Sequence, residues 1–194
     1  MRARNLVVVA DLGGTHFRVG LGDPETGAVF GVERHPTEAD NGPDRILEEI
    51  ARRFKALTAS VGARVKVAAI GVPGPVRAAD GVVVKAPNLP GWDNVPVMAR
   101  LEALTGLRVV VGNDANLAAL GEQRYGAGRG ARNLVYITVS TGIGGGVIAD
   151  GRLLLGAHGF AAELGHIPLE PGGPLCGCGG RGCLEALASG TAIA

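Results

Sequence analysis

The sequence predicts an α/β protein of two lobes, and two observations carry that reading. Apolar runs of strand length alternate with segments of helical periodicity from Leu6 to Tyr125. A strand followed by a glycine turn then opens each half, at Asp11-Leu12-Gly13-Gly14-Thr15 and again at Ser140-Thr141-Gly142. A repeated hairpin of this kind predicts a duplicated scaffold with a ligand between the halves, divided as residues 1–112 and 113–194.

Leu6 to Ala10 reads as a buried strand and Phe17 to Leu21 as its hairpin partner, with a third strand at Ala28 to Arg34. Ile46, Leu47, Ile50, Phe54 and Leu57 fall at helical spacing between Pro43 and Ser60, with Pro43 suited to the first turn. Val65 to Val72 is a strand running into Pro73-Gly74-Pro75, and Val82 to Val84 a short strand after the turn Asp80-Gly81. Pro96 and Gly106 bracket a helix at Val97 to Leu104. A strand at Val109 to Val111 ends in Gly112-Asn113-Asp114, and Ala115 to Tyr125 continues as a helix. Gly126 to Arg132 resembles a linker. Leu134 to Val139 is a strand, Ser140 to Gly146 a glycine turn, and Val147-Ile148 the start of the return strand. The last residues, Ala188 to Ala194, have a helix-like pattern without a closing element, which predicts a truncated chain.

Composition limits the function classes. A hydrophobic content of 46% excludes a disordered polymer. Lys+Arg 19 against Asp+Glu 18 leaves a net charge of +1, too weak a field to imply nucleic acid or anionic lipid as the main partner. Arg2 and Arg4 precede an apolar run that is too short for a signal peptide or a membrane span, so the expectation is a cytoplasmic protein.

Three constellations carry chemistry. In the first glycine turn, backbone N–H groups and the Thr15 hydroxyl suit phosphate oxygens, and Asp11 at the strand end suits the accompanying Mg²⁺. Taken alone, the segment is equally an ordinary hairpin. The second turn, at Thr141-Gly142, offers another nest to the same polyphosphate and favours the phosphate reading. No Gly-Lys-Ser or Gly-Lys-Thr is present, so neither turn is a P-loop.

Asp114 stands where a strand gives way to a helix, whose N-terminal partial charge favours the ionised carboxylate. Such a group suits a general base accepting a hydroxyl proton. It also suits an N-cap, although a cap needs only one of Asn113, Asp114 and Asn116. Finally, His166, Cys176, Cys178 and Cys183 offer one imidazole and three thiols, which suit tetrahedral Zn²⁺; the alternative is incidental buried cysteines. Glu163 and Glu185 flank this knot, either as surface charges or as groups that a metal would fix.

In order, Asp11-Leu12-Gly13-Gly14-Thr15, Gly71-Val72-Pro73-Gly74-Pro75, Asn113-Asp114-Ala115-Asn116, Ser140 to Gly146, Glu163-Leu164-Gly165-His166 and Cys176 to Glu185 resemble the ROK family of bacterial glucokinases, sugar kinases and sugar-responsive repressors. The resemblance covers almost the whole chain. It implies a ribonuclease H-like α/β fold of two lobes, as in actin-like ATPases and hexokinases, with the second lobe incomplete. It further implies a homo-oligomer, dimer or tetramer, that transfers the γ-phosphoryl group of ATP to a hexose 6-hydroxyl, most simply that of glucose.

By the same resemblance Asp114 is the base, while Asn113, Asp114, Glu163, His166 and Glu185 hold the sugar. Asp11, Gly13, Gly14, Thr15, Thr141 and Gly142 hold the nucleotide phosphates with Mg²⁺, and His166 serves both the structural zinc and the sugar. Gly74 allows close sugar approach and Asn88 lines the cleft. Family members continue for about a hundred further residues, consistent with a larger second domain. The family's repressors carry a helix-turn-helix ahead of the first strand, whereas five residues precede Leu6 here, so a repressor is disfavoured. The competing readings are a kinase for mannose, fructose, allose or N-acetylated hexosamine, a sugar-binding regulatory or inactive fragment, and a structural zinc module.

Overall fold

The computed structural model describes residues 5–61 and 65–194. Arg2 and Arg4 lie outside them. The chain divides into two compact units, one ending at Asp114 and the other spanning Ala115–Ala194.

In the first unit β1 (Val7–Leu12), β2 (His16–Gly22) and β3 (Val29–Pro36) form an antiparallel meander. Strand β1 alternates partly buried and buried positions, and Val8 and Leu12 are fully enclosed. Helix α1 (Gly42–Ser60) starts with a proline in its first turn and buries Ile46, Leu47, Ile50, Ala51, Phe54 and Leu57. Full burial of side chains of this size contributes about 1.5–3 kcal/mol each, so this stripe anchors the helix.

The chain then enters β4 (Val67–Val72), which pairs parallel to β1 with Asp11 opposite Gly71. Next come three short strands, β5 (Val76–Arg77), β6 (Val82–Lys85) and β7 (Asp93–Pro96), which make their own antiparallel sheet. The sequence pattern marked only the middle one, because two residues, or four beginning Asp93-Asn94, carry no legible alternation. Helix α2 (Val97–Thr105) ends at Gly106, whose φ of 71° lets its N–H reach the Glu102 carbonyl. Strand β8 (Arg108–Asn113) pairs parallel to β4, completing a five-stranded sheet of order β3-β2-β1-β4-β8.

The second unit is built around α3 (Asp114–Tyr125), whose first residue belongs to the preceding unit, and a three-stranded sheet. The Gly126 to Arg132 stretch that resembles a linker is a bonded turn: Gly126 and Gly128 both donate to the Glu122 carbonyl, and Gln123 Nε2 donates to the Ala131 carbonyl at 3.0 Å. Strand β9 (Leu134–Val139) pairs antiparallel with β10 (Ile143–Ala149), which pairs with β11 (Arg152–Leu153).

Here the sequence reading is corrected. The turn is confined to Ser140–Gly142, and Gly144, Gly145 and Gly146 lie inside β10. Gly146 faces α3 closely: a Cβ there would come within 2.6 Å of the Ala119 Cβ and 3.0 Å of the Ala115 carbonyl oxygen. Helix α3 thus packs directly on the strand backbone. The chain ends in two short helices, α4 (Leu184–Ala188) and α5 (Gly190–Ile193). They are separated at extended Ser189, whose hydroxyl accepts from the Ala192 N–H.

Gly146→Ala is expected to lower stability by ~1–3 kcal/mol, since strand or helix must shift to admit one methyl group. A denaturant midpoint equal to that of the wild type would contradict the close approach of α3 to β10.

Candidate functional site

The parallel register of the first unit assembles one set of residues. Asp11 stands opposite Gly71 on β4, Gly71 stands opposite Gly112 on β8, and Val72 opposite Asn113. The carboxyl ends of three neighbouring strands therefore present Asp11, the Pro73-Gly74-Pro75 loop, and Asn113 with Asp114 along one sheet edge. This is where open parallel sheets hold ligands.

Local bonds fix each member. Asp11 is exposed and pairs with Arg18 Nη1 at 3.0 Å. The Gly13 N–H closes the hairpin onto the His16 carbonyl at 3.0 Å, so the amides left to the turn for a ligand are those of Gly14 and Thr15. Thr37 clamps the turn from behind, its hydroxyl donating to the Gly13 carbonyl at 2.7 Å and its N–H to that of Thr15 at 2.9 Å. Asn88 lies against the turn, its carbonyl oxygen 3.0 Å from where a Cβ on Gly14 would sit. Gly74 owes its identity to a φ of 80° and to the Lys85 carbonyl, 2.1 Å from a would-be Cβ, so the backbone itself already requires glycine there.

Asn113 Nδ2 donates both to the Gly74 carbonyl and to Asp114 Oδ1, each at 3.1 Å. The amide thereby ties the loop after β4 to an exposed carboxylate at the start of α3. The helix N-terminus also favours negative charge at that position.

The second unit gathers the other set. One ligand atom from each of His166, Cys176, Cys178 and Cys183 lies within 4.8 Å of the others. His166 Nδ1 approaches Cys176 Sγ at 3.5 Å, and Cys178 Sγ lies 3.8 Å from Cys183 Sγ. All three cysteines are free thiols. One nitrogen and three sulfurs at this separation fit a tetrahedral ion of borderline softness, with every position filled by protein. The loop is closed by the Cys176 N–H on the Gly180 carbonyl and by the Leu184 N–H on that of Ile167.

Burial pushes the Cys183 thiol up to about 11. The Gly180 N–H, donating to Cys178 Sγ at 3.4 Å, holds that thiol below its ordinary value. The other imidazole nitrogen, Nε2, points toward Glu163 Oε2 at 4.0 Å. His166 can thus serve a metal through Nδ1 and a polar ligand through Nε2.

Glu185 sits in the first turn of α4, two residues past Cys183. Its Oε2 accepts from the Ile143 N–H at 2.8 Å, and Oε1 lies 3.9 Å from Cys176 Sγ. Thr141 is exposed at the tip of its turn, and Gly142 follows with the Glu185 carboxylate 2.4 Å from where its Cβ would be. Sequence reasoning missed three residues that shape these sets. Thr37, Ser189 and Thr191 carry no motif signal, because each acts through groups brought close only by the fold.

The model of the ROK family matches residues 7–194. The chain belongs to the ROK family. It is 46% identical over 187 residues to a glucokinase of Thermotoga maritima, and 40% identical over 184 residues to an N-acetylmannosamine kinase of Citrobacter koseri. These matches cover 96% and 95% of this chain and 58% and 61% of the respective relatives. Among solved structures it resembles a ROK glucokinase from Streptomyces griseus in complex with glucose and AMPPNP, with a TM-score of 0.86 at 39% identity; the match covers 97% of this chain and 59% of that one. The ROK chain therefore has the α/β fold of actin-like ATPases and hexokinases, and it spans about three-fifths of the length of these relatives. No helix among the described residues is long and apolar enough to cross a membrane.

Because thiolates and not thiols bind metal, protons compete for the cluster. With Cys183 raised to about 11, its proton must be displaced throughout the neutral range, so metal affinity should fall as pH falls and rise toward alkaline pH. Titration with Co²⁺, read by sulfur-to-metal charge-transfer absorbance, should give one ion per chain and tighter apparent binding at pH 8 than at pH 6. Cys178→Ser should weaken it strongly. A pH-independent affinity, or an unaffected serine variant, would remove the thiols from the ligand set.

Proposed function

We propose that the protein phosphorylates a hexose at its 6-hydroxyl with ATP, most simply glucose. The observation that carries this reading is the row of Asp11, the Gly74 loop, Asn113 and Asp114 at the carboxyl ends of β1, β4 and β8. Kinship with a glucokinase and with a ROK glucokinase solved with glucose and AMPPNP supports it.

In this reading the Asp114 carboxylate accepts the proton of the 6-hydroxyl as that oxygen attacks the γ-phosphorus. The new P–O bond forms while the bond to the β-γ bridging oxygen breaks, and ADP leaves. Asn113 holds the carboxylate in place through its 3.1 Å bond and presents the rest of its amide to the sugar. Glu163, His166 Nε2 and Glu185 accept from or donate to the remaining hydroxyls. The amides of Gly14 and Thr15, with Thr141 and Gly142, would receive phosphate oxygens, and Asp11, paired here with Arg18, would hold the accompanying Mg²⁺. His166, Cys176, Cys178 and Cys183 would hold Zn²⁺ as a structural ion, and coordination through Nδ1 would keep the His166 ring oriented with Nε2 left for a ligand.

Kinship with an N-acetylmannosamine kinase supports a second reading, in which the substrate is an N-acetylated hexosamine. The same carboxylates and imidazole contact hydroxyls common to both sugars.

A coupled assay for released ADP against a panel of hexoses tests the proposal. It is run on the 194-residue chain and on a form completed to the relatives' length. The completed form should release ADP with glucose or an N-acetylated hexosamine, and the shorter one more slowly by orders of magnitude. Absence of sugar-dependent ADP in both would overturn the kinase reading. Asp114→Asn should lower turnover by ~10²–10⁴-fold while sugar affinity changes little, because the amide keeps shape but accepts no proton. Near wild-type turnover would reduce Asp114 to a helix-terminal residue.

A further inference from the structure

The segment following the cysteine cluster holds the second glycine turn at three points. Glu185 Oε2 accepts from the Ile143 N–H at 2.8 Å, the Gly190 N–H donates to the Ser140 carbonyl at 2.7 Å, and Thr191 Oγ1 donates to the Thr141 carbonyl at 2.8 Å. Every residue of Ser140–Gly142 is thereby bonded or pressed from one side, since Gly142 has room for no side chain beneath the Glu185 carboxylate. The origin of this strap is a candidate metal ligand: Cys183 is the N-cap residue of α4, and Glu185 stands in its first turn. Ser189, buried between the two short helices, bonds Thr191 Oγ1 at 3.0 Å and keeps that hydroxyl on target.

We infer that Glu185 is a positioning residue for the Ser140–Gly142 turn, tying it to the His166–Cys183 cluster, so that occupancy of the cluster by its cation sets the rigidity of the turn. The inference rests on the metal reading above, and assigns Glu185 a task besides contact with a sugar. The division of labour lies within one carboxylate. Oε2 is spent on the Ile143 N–H. Oε1 lies 3.9 Å from Cys176 Sγ, so the same carboxylate touches both the cluster and the turn. A cation held by the four ligands would fix Cys183 and with it the start of α4, from whose first turn Glu185 reaches the Ile143 N–H.

Amide hydrogen exchange of Ile143, followed by NMR on the Zn²⁺-loaded 194-residue chain, tests the tie without any turnover, with Ile148 in the same strand as reference. Glu185→Ala should accelerate exchange at Ile143 about 10- to 100-fold while Ile148 is unchanged, the range expected for loss of a bond to a charged acceptor. Glu185→Gln keeps an acceptor oxygen and should restore most of the protection, which a residue needed only for packing or charge would not predict. Stripping the metal with chelator, or Cys178→Ser, should reproduce the local acceleration.

Equal protection of Ile143 in wild type and Glu185→Ala overturns the tie. Unchanged protection after stripping overturns its coupling to the metal while the kinase reading stands. A chain that takes up no Zn²⁺ by elemental analysis overturns the coupling together with the metal reading, and the alanine arm still decides the tie. If Glu185→Ala loses protection at Ile148 as well, Thr191→Val decides: a smaller acceleration confined to Gly142 and Ile143 is expected, and no change there overturns the strap.

Discussion

The parallel pairing of β4 with β1 on one side and β8 on the other is the constraint on which the first unit depends. A strand slipped by one residue would turn every side chain to the opposite face, exposing Val8, Ala68 and Ile70, all fully buried in the observed register. Burial of that alternating set therefore fixes, at no extra cost, the row of Asp11, Gly71 and Gly112 where the strands end. Polar chemistry at the edge is positioned by apolar packing within the sheet. The Asn113 amide then adds what packing cannot supply, a directional bond that joins the loop after β4 to the carboxylate at the start of α3.

The second unit relies on a different economy. Its terminal region, from Glu163 onward, has short helices and isolated bridges but few buried apolar side chains, with Leu169 and Leu175 both exposed. The order of that region comes from backbone bonds and from four converging N and S atoms. Such loop-rich segments lack enough apolar burial to offset the loss of chain entropy, and a bound ion commonly makes up the difference. The convergence of His166 with the three cysteines is suited to such an ion. Glu185 follows two residues after Cys183, and Glu163 lies 4.0 Å from the His166 ring.

Membership of the ROK family leaves the choice of substrate open. Relatives named for glucose and for N-acetylmannosamine are nearly as similar to this chain as each other, at 46% and 40% identity. In the proposed reading, Asn113, Asp114, Glu163, His166 and Glu185 contact hydroxyls that the two sugars share. Discrimination between them requires contacts at the position that differs, and hydrogen-bonding groups common to both can supply affinity but no difference in affinity.

The sequence by itself determined the order of the principal elements and named the candidate residues that the structure brings together within each unit. Helix α1 was legible from its apolar spacing, α2 from Pro96 and Gly106, and the His166, Cys176, Cys178, Cys183 set from residue types that have few other uses together. These signals are local: periodicity, caps and ligand types are written in adjacent residues. Tertiary structure alone decided why Gly146 inside β10 is a glycine, since the reason is the close approach of α3, some thirty residues earlier in the chain. It also decided that the Gly13 amide closes its own hairpin, that Gly74 makes room for Lys85, and that Glu185 reaches back to Ile143. Each of these depends on a close approach between residues distant in sequence, and such approaches are set by how sheets and helices pack, which no local pattern encodes.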